Sequence, residues 1–514
     1  MLKYLIMAKP EVYPLLKIAS LILIIFNLFV TSFFLLNGEL DFHSDIARDF
    51  LLLNEIEAKK IVLIGGSTSI AGVYHGPFWL YLNFPAYYLG GGNPIAVGWF
   101  LLSIIIAFTL INFQIAKKLA GPKTAYFFTI FISSFLIVWG RAFNHPEAAL
   151  LLAPSFFYTL LRYLKTFKLR YLCIHVLTAG LIIQLEIASG GPFFLLSSAL
   201  ISYQLIKNRK LNHFLAFVLI LIPLSSYIIF ELRHDFFQFK NFIKYIQEAK
   251  PHLPLIEILK NRAGYASAIG SLAPSSKIIN VLSTLLFLSL IIKSTKENKN
   301  RHIYLTFLYL YLGYFSITMF SNHYLLAHQL VPLVALAMMT FLSLVETRFA
   351  KFVLPLILIM ILVNEVAAAK YLNQSKNILN SPYETSWKII SRLADDVFET
   401  QESEFGYFIY SPDKLSYVPK YAMVYAKKRH REKTAAYFEK KPVTYVISAP
   451  APLSDPYAKY FTDDYWIVNS IKITKEPQNV IRYPNGYTIK RYELSKQEIA
   501  VPFDKYEDTG IHFR

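Results

Sequence analysis

The sequence predicts an α-helical polytopic membrane protein with a C-terminal extracytoplasmic α/β domain. Of its 514 residues, 55% are hydrophobic and only 17% are charged, whereas soluble globular proteins have roughly 25% charged residues. The charges are also uneven: residues 1–369 hold 30 basic and 16 acidic residues, against 22 and 18 in the much shorter 370–514. We therefore predict a transmembrane domain over 1–369 and a water-soluble domain over 370–514.

Eleven apolar segments are long enough to cross a bilayer, which takes roughly 20 helical residues. They lie at about 15–36, 94–116, 124–140, 146–163, 169–187, 190–206, 213–230, 278–292, 303–321, 324–345 and 352–369. The first segment is too long for a signal-peptide core, and no A-x-A cleavage pattern follows it. We expect it to be a retained anchor.

The connections between these segments predict the orientation of the chain. One alternating set consists of the N-terminus, 117–123, 162–170, 207–210, 293–302 and 346–351. It carries 19 basic residues and three acids, whereas the other set has 11 basic residues and a similar number of acids. Because cytoplasmic loops are enriched in Lys and Arg, we expect a protein of the cytoplasmic membrane with a cytoplasmic N-terminus and an extracytoplasmic tail.

The first outer connection, 37–93, is predicted to contain two helices on the membrane surface. In 45–60, Ile46, Phe50, Leu53 and Ile56 recur at helical spacing among charged residues. The segment 77–90 is short, interrupted by proline and followed by glycines, which favours a helix along the membrane surface over a span.

Three carboxylates begin this connection, and two interpretations of them are open. Asp41, Asp45 and Asp49 precede or begin the predicted helix, and the last two share one face. Acids at a helix start commonly only complement the helix dipole. A carboxylate at the membrane edge can instead act as a general base that takes a proton from a hydroxyl.

Polar and ionisable groups also recur at the predicted outer ends of several spans, where such groups indicate a functional site by default. Arg233 and His234 are suited to an anionic phosphate, although charged residues at span ends can simply reach toward water. The convergence of several span ends favours an outward-facing polar cavity. The other members of this set are Arg141, Asn144, His145, Glu147, Gln184, Glu186, Glu231, Asn322 and His323.

Composition excludes several other classes of protein. The net charge of +18 does not form one basic stripe with interleaved aromatics, so we expect no nucleic-acid partner. The single cysteine, Cys173, excludes an intrachain disulfide and a CxxC metal site. No nucleophile triad, P-loop or dinucleotide fingerprint is visible.

In their order, these motifs resemble the GT-C integral-membrane glycosyltransferases, especially the branch of protein O-mannosyltransferases and lipid A aminoarabinose transferases (glycosyltransferase family 39-like). The counterparts of the family motifs are His43-Ser44-Asp45 and His75-Gly76-Pro77-Phe78. The stretches 64–69, 231–236 (Glu-Leu-Arg-His-Asp-Phe) and 322–324 (Asn-His-Tyr) fit a bacterial subgroup. The resemblance covers residues 10–345 in order.

The resemblance implies transfer of a single sugar, hexosyl or pentosyl, from a polyprenyl-phosphate-linked donor to a hydroxyl acceptor on the outer face of the membrane, with inversion. It implies Asp45 as the catalytic base, with Asp49 as second candidate and Asp41 still open. The implied partners are the donor lipid, an acceptor of unknown type and the bilayer. The substrate-binding candidates are His43, Arg48, His75, Arg141, His145, Glu147, Gln184, Glu186, Glu231, Arg233, His234 and His323.

The sequence departs from the family pattern at three points. Ile46 follows Asp45 where the mannosyltransferases have an Asp-Glu pair, and Gly76 replaces the first proline of His-Pro-Pro. The Trp-Trp-Asp tripeptide of oligosaccharyltransferases is absent, which argues against en bloc transfer to asparagine. No D-x-D occurs in the first outer connection, so we expect no required cofactor and leave a divalent metal open.

In the tail, a helix is predicted at about 384–399, and β-rich runs at 405–410, 443–448, 465–473 and 487–494, with a turn at 484–486 before the last. The basic run 427–431 is typical of a solvated helix face, the alternative being contact with anionic lipid or glycan.

The rival function is a transporter or flippase of lipid-linked sugars, but no internal repeat of the kind common in transporters is found. A scaffold protein would not need carboxylates and cations converging at several span ends.

Overall fold

The structure is a computed structural model that describes residues 12–248, 254–268, 277–297, 300–321, 323–412, 415–450 and 462–503. The chain divides into two compact units. One comprises Met1–Phe33, Ile61–Leu82 and Phe100–Asn373; the other comprises Phe34–Lys60, Asn83–Trp99 and Gln374–Arg514.

Helices dominate the chain as far as residue 379. They are α1 (Val12–Leu36), α2 (Ser44–Lys59), α3 (Phe78–Leu89), α4 (Pro94–Leu119), α5 (Pro122–Leu136), α6 (His145–Thr166), α7 (Leu169–Leu185), α8 (Ile187–Lys207), α9 (Leu221–Arg233), α10 (Phe237–Glu248), α11 (Leu255–Ala268), α12 (Lys277–Glu297), α13 (Arg301–Thr318), α14 (Val331–Leu342) and α15 (Ala350–Leu379). Short 3-10 segments adjoin α5, α9 and α14 at Ile137–Trp139, Leu211–Ile220, Ala327–Leu330 and Ser343–Glu346.

Helical structure is therefore present at each of the eleven segments predicted to cross the membrane. Within the described residues, six helical segments are long and apolar enough to do so. They are Pro14–Leu36, Pro94–Leu119, Pro122–Trp139, Leu211–Arg233, Ala327–Glu346 and Ala350–Leu379. The chain is a multi-pass membrane protein, while the total of eleven spans and their orientation stay predictions.

Buried polar contacts join some of the apolar helices of the first unit. The fully buried Asn27 of α1 donates to Ser133 Oγ on α5 and to Glu365 Oε1 on α15, both at 3.1 Å. Hydrogen bonds of this kind stabilise helix association where the surroundings offer no water.

Both helices predicted in the first outer connection are present, as α2 and α3. In α2, Ile46, Phe50, Leu53 and Ile56 are all buried, so the spacing that predicted an amphipathic helix is confirmed.

The tail is a small α/β domain, as predicted. Its helices are α16 (Trp387–Phe398), α17 (Tyr417–Arg429), α18 (Asp463–Asn469) and α19 (Lys496–Ala500), and its strands are β1 (Glu404–Tyr410), β2 (Thr434–Tyr437), β3 (Val443–Ser448), β4 (Asn479–Arg482) and β5 (Thr488–Glu493). The sheet order is β2-β1-β3-β5-β4; β1 is parallel to β2 and β3, and β5 is antiparallel to β3 and β4.

The β-rich run predicted at 465–473 is wrong, because residues 463–469 form α18. Asp463 and Asp464 occupy its first turn, where acids favour helix formation. Ile467, Ile471 and Ile473 all pack into the core around Phe408. Tertiary packing therefore overrides the β propensity of Tyr, Trp, Ile and Val. By contrast, the turn at 484–486 is present between β4 and β5, with Gly486 at φ +89°.

Contacts group the start of the first outer connection with the tail in the second unit. The division at 369/370, inferred from charge density, stays a prediction about functional domains.

Gly406 in β1 offers a test of the sheet packing. A Cβ at this position would lie 2.1 Å from the Glu439 carbonyl oxygen and 3.0 Å from the Lys441 amide nitrogen. We predict that Gly406→Ala destabilises the sheet by about 1–3 kcal/mol, as overpacking does. Hydrogen exchange of the β1 and β3 amides in the full-length protein measures this.

The matched control is Gly191→Ala, because nothing lies within 4 Å of a Cβ at Gly191. It should leave exchange in the sheet unchanged. Equal protection of β1 in the Gly406→Ala variant and the wild type would contradict the packing described.

Candidate functional site

The N-terminal turns of α2 carry an arginine between two carboxylates. Arg48 Nη1 donates to Asp45 Oδ1 at 3.0 Å, while its Nε and Nη2 donate to Asp49 Oδ1 at 3.2 and 3.1 Å. Because residues three apart face each other along a helix, the helix itself brings Asp45 to Arg48. His43, half-buried, precedes the helix and accepts the Ala47 amide through its backbone carbonyl.

The two carboxylates differ in their access to solvent. The side chain of Asp45 is 65% exposed, whereas those of Asp49 and Arg48 are 14% and 12% exposed. Burial alone lowers the pKa of the Arg48 guanidinium, but the charges of Asp49 and Asp45 outweigh it and raise that pKa overall. Arg48 is thus a fixed positive charge, and Asp45 is the exposed carboxylate beside it.

Asp41 has a different environment. Its carboxylate accepts a hydrogen bond from Thr385 Oγ1, and Asp41 forms an isolated antiparallel bridge with Ser386. Glu39, only 3% exposed, accepts from Ser386 Oγ at 2.7 Å. The acids that precede α2 are therefore engaged with the segment that leads into α16.

The segment 65–75 folds back on itself, so that His75 pairs with the start of the segment through backbone hydrogen bonds. The Gly65 amide donates to the His75 carbonyl at 2.7 Å, and the His75 amide donates to the Gly66 carbonyl at 2.9 Å. The His75 ring lies against the His145 ring with centroids 4.3 Å apart. His145 Nδ1 in turn donates to the Leu185 carbonyl at 2.6 Å, so two predicted site histidines are brought together.

Gln184 connects this segment to two helices. Its backbone carbonyl accepts the Gly76 amide at 3.2 Å, and its Oε1 accepts the Phe78 amide at 3.3 Å. Its Nε2 donates to the Pro223 carbonyl and to Ser226 Oγ. A Cβ at Gly76 would lie 1.6 Å from Gln184 Oε1. The glycine that replaces the family's proline is therefore the residue that leaves room for this amide.

Two further candidates, Glu147 and Glu186, are buried carboxylates. Glu147 of α6 is 8% exposed, and Glu186, between α7 and α8, is 2% exposed. Glu186 Oε1 accepts the Ala188 amide at 3.3 Å, whereas the Oε2 atoms of both residues have no hydrogen-bond partner among the described residues. Buried acceptors of this kind usually have a partner, so these two oxygens are unusual within the part of the chain that the structure describes.

The segment that follows α9 contacts the segment 65–75 through α10. Glu231 accepts the backbone amides of Gln238 and Phe239 at 3.2 and 3.1 Å, which caps the N-terminus of α10. Gln238 Oε1 accepts the Tyr74 amide at 2.8 Å, and Tyr227 Oη donates to the Tyr74 carbonyl at 3.2 Å. The backbone of Tyr74, the residue before His75, is thus fixed by hydrogen bonds with α9 and α10.

The remaining predicted residues occupy separate places. The His234 ring stacks on Phe230 at 4.2 Å, and the His323 ring stacks on Tyr245 of α10 at 4.5 Å. Arg233 is exposed at the end of α9, and Arg141 is half-buried ahead of α6. Asn322 lies outside the described residues.

Each unit therefore contains part of the predicted site. The first unit brings together His75, His145 and Gln184; the second contains His43 and the Asp45–Arg48–Asp49 group. Over the described ranges, no group of three or more His, Cys, Asp or Glu side chains is placed to hold a metal ion.

The sequence did not reveal the residues that form hydrogen bonds to the candidate site residues and to their neighbours. Tyr74, Tyr227 and Gln238 in the first unit, and Thr385 in the second, are uncharged and lack a recognisable motif. Their importance arises from contacts between residues more than 150 positions apart, such as Tyr74 with Gln238 and Tyr227. Only Tyr74, beside His75, carried a local signal.

No protein-family model matches the sequence, and a search of curated proteins finds no match. Solved structures do match. A crystal structure of ArnT from Cupriavidus metallidurans bound to undecaprenyl phosphate matches with a TM-score of 0.57 and 11% identity, over 96% of this chain and 100% of that one. The chain has the ArnT fold.

The apo structure of the same ArnT matches equally well, with a TM-score of 0.58 and 10% identity, over 94% of this chain and 98% of that one. ArnT is a lipid A aminoarabinose transferase with the GT-C fold, so the fold that the sequence motifs predicted is confirmed. The match extends beyond residues 10–345, where those motifs lie, and takes in the tail.

The contact of Gly76 with Gln184 can be tested by substitution. We predict that Gly76→Ala displaces the Gln184 amide and lowers the free energy of unfolding by about 2–3 kcal/mol, since each buried hydrogen bond contributes about 0.5–1.5 kcal/mol. Thermal unfolding of the purified protein measures this change.

The double variant Gly76→Ala/Gln184→Ala removes the overlapping atoms. It should be less destabilised than the sum of the two single variants, because it has no clash and loses the Gln184 hydrogen bonds only once. Strict additivity would disprove the contact.

Proposed function

We propose that this chain is an inverting glycosyltransferase that moves a single sugar from a polyprenyl-phosphate-linked donor to a hydroxyl acceptor at the outer face of the membrane. The ArnT fold over 96% of the chain carries the proposal, because one of the matching structures binds undecaprenyl phosphate. A polyprenyl lipid stays in the bilayer, which accounts for polar groups at the ends of apolar helices.

The reaction exchanges one bond for another at the anomeric carbon. The acceptor oxygen forms a bond to that carbon while the bond to the phosphate oxygen breaks, and the polyprenyl phosphate leaves with the electron pair. The acceptor proton passes to a carboxylate base. A single displacement of this kind inverts the configuration at the anomeric carbon.

Asp45 is our candidate for the base. Its carboxylate is 65% exposed and forms an ion pair with Arg48 at 3.0 Å. Asp49 is largely buried and receives two of the three Arg48 hydrogen bonds. Asp41 is bonded to Thr385. A base must reach the hydroxyl proton directly, and the exposure of Asp45 supports it over the other two.

The leaving phosphate needs cationic partners that stabilise its developing charge. We assign this role to Arg141, Arg233, His75 and His234. Arg233 is exposed and makes no ion pair with a described residue, so its guanidinium is available to an anion. The two histidines have their rings stacked on His145 and Phe230, which restricts their orientation.

The other candidates contribute hydrogen bonds to sugar or acceptor hydroxyls. Glu147 and Glu186 each offer an acceptor oxygen without a partner among the described residues. Gln184 and Glu231 support the site through their backbone contacts, and His43, Arg48, His145 and His323 complete the set. In this proposal the base is a carboxylate and the counter-charges are side chains, so no cofactor is required, and a divalent metal stays open.

The test of the base is Asp45→Asn in purified protein given a radiolabelled polyprenyl-phosphate sugar. Since general base catalysis contributes about 10²–10⁴-fold, transfer should fall at least about 100-fold while donor binding is nearly unchanged. Undiminished turnover would exclude Asp45 as the base.

Glu55→Gln is the matched control, because it neutralises another carboxylate of α2. Glu55 pairs with Lys59 at 2.9 Å, with side chains 16% and 53% exposed, and Gln keeps the size of the Glu55 side chain while removing its charge. Transfer should stay within about twofold of wild type.

The test of phosphate binding is Arg233→Gln. A hydrogen bond to a charged group contributes about 1.5–3 kcal/mol, so the KM for the donor should rise about tenfold or more with a smaller change in kcat. Arg301→Gln, in the predicted cytoplasmic connection, is the control. An unchanged KM in the Arg233 variant would remove Arg233 from the phosphate site.

A further inference from the structure

The basic run 427–431, at the end of α17, is engaged within the second unit. Arg429 donates to Asp395 and lies over the Tyr425 ring at 4.3 Å. His430 Nε2 lies 3.4 Å from Asp395 Oδ1. Lys427 is exposed, and its side chain makes no hydrogen bond or ion pair with a described residue. The run is exposed at 427, 429 and 431 and half-buried at 428 and 430, so three members face solvent while Lys428, Arg429 and His430 also form contacts within the second unit.

Lys428 reaches the C-terminal part of α2. Its Nζ forms an ion pair with Glu57 Oε2 and donates to Tyr87 Oη at 2.8 Å. The same ammonium lies 4.6 Å from the centre of the Tyr87 ring. Tyr87 Oη also donates to Asn54 Oδ1 at 3.4 Å. One lysine of the tail thus contacts both surface helices of the first outer connection.

Aromatic packing joins the middle of α2 to the tail. The fully buried Tyr421 of α17 lies 5.1 Å from Phe50 and 5.6 Å from Phe42, measured between ring centroids. Trp387 of α16 lies 4.6 Å from Phe42. Aromatic rings at these separations stabilise the packing beyond the free energy gained by burying their area. The middle of α2 is therefore part of the aromatic core that it shares with α16 and α17.

The residues that lead into α2 are also bound to the tail. The Phe42 amide donates to the Thr385 carbonyl at 2.8 Å, and the Trp387 amide donates to the Leu40 carbonyl at 3.2 Å. The Glu39 carboxylate accepts from Ser386 Oγ and from the Lys388 amide. Asp45 follows within one turn of this bonded segment.

We propose that the C-terminal domain positions the acidic helix α2 by binding it at both ends, an arrangement that we call the clamp. Lys428 is the positioning residue at the C-terminal end of α2. The catalytic part of this inference rests on the proposed function, because it matters for transfer only if Asp45 is the base. The structural part does not. The acidic motif and the tail would then be one functional element although some 340 residues separate them.

A clamp of this kind makes activity depend on residues remote from the chemistry. A displacement of about 1 Å can cost up to about 100-fold in rate, whereas donor binding by other residues is untouched. Loss of the clamp should therefore lower kcat and leave the KM for the donor nearly constant. A merely structural lysine would lower the amount of folded enzyme without changing either constant of the folded fraction.

The test measures hydrogen exchange of the α2 amides in the full-length protein. Lys428→Met should accelerate exchange over residues 44–59 at least about fivefold and leave β3 unchanged. Lys427→Met, at the exposed neighbour, should change neither. Unchanged exchange over α2 in the Lys428 variant overturns the clamp.

Exchanging the charges of Lys428 and Glu57 distinguishes loss of their ion pair from misfolding of the single variants. Glu57→Lys and Lys428→Glu should each loosen α2, and the double variant should restore its protection because the ion pair is re-formed with its charges exchanged. A double variant as loose as the single variants overturns the assignment of Lys428.

The kinetic arm separates this inference from the proposed function. Where the wild type transfers sugar, Lys428→Met should lower kcat about tenfold with the donor KM within twofold, and the swap should restore it. Unchanged kcat with faster exchange overturns the positioning role. A wild type without transferase activity refutes the proposed function, while the exchange measurement still decides the clamp.

Discussion

The ion pairs of Arg48 with Asp45 and Asp49 are the interaction on which the candidate chemistry depends. They place a permanent positive charge between two carboxylates on one helix face, with Asp49 buried and Asp45 exposed. Two chemically identical side chains that share one arginine therefore differ in their exposure to solvent. Asp49 receives two of the guanidinium's hydrogen bonds, and in our proposal Asp45 is the carboxylate that accepts a proton.

The helix that carries these residues is stabilised mainly by residues distant in sequence. Phe42 and Phe50 pack on Trp387 and Tyr421 of the tail, and Glu39 accepts hydrogen bonds from the segment before α16. The tail is therefore more than an appended soluble domain. In the first unit, Gln184, Gln238 and Tyr227 hold the backbone around His75 in the same indirect way.

Local patterns predicted much of the fold and less of the site. The apolar segments, the amphipathic α2 and the strand 443–448 were predicted because their periodicity and composition are local properties. The run 465–473 was assigned incorrectly because packing of Ile467 onto Phe408 outweighs β propensity. The pairing of Lys428 with Glu57, and the space that Gly76 leaves for Gln184, could not be read from the sequence. Both depend on contacts made only after folding, between residues more than 100 positions apart.

In our proposal the chain transfers sugar and does not merely carry a lipid-linked sugar across a bilayer. The most direct measurement follows purified protein in sealed vesicles that contain a donor labelled in both the sugar and the polyprenyl phosphate, with a panel of hydroxyl acceptors. We expect that the sugar label moves to an acceptor and that one polyprenyl phosphate is released for each sugar transferred. Movement of the intact donor between leaflets, with both labels still joined, would contradict it.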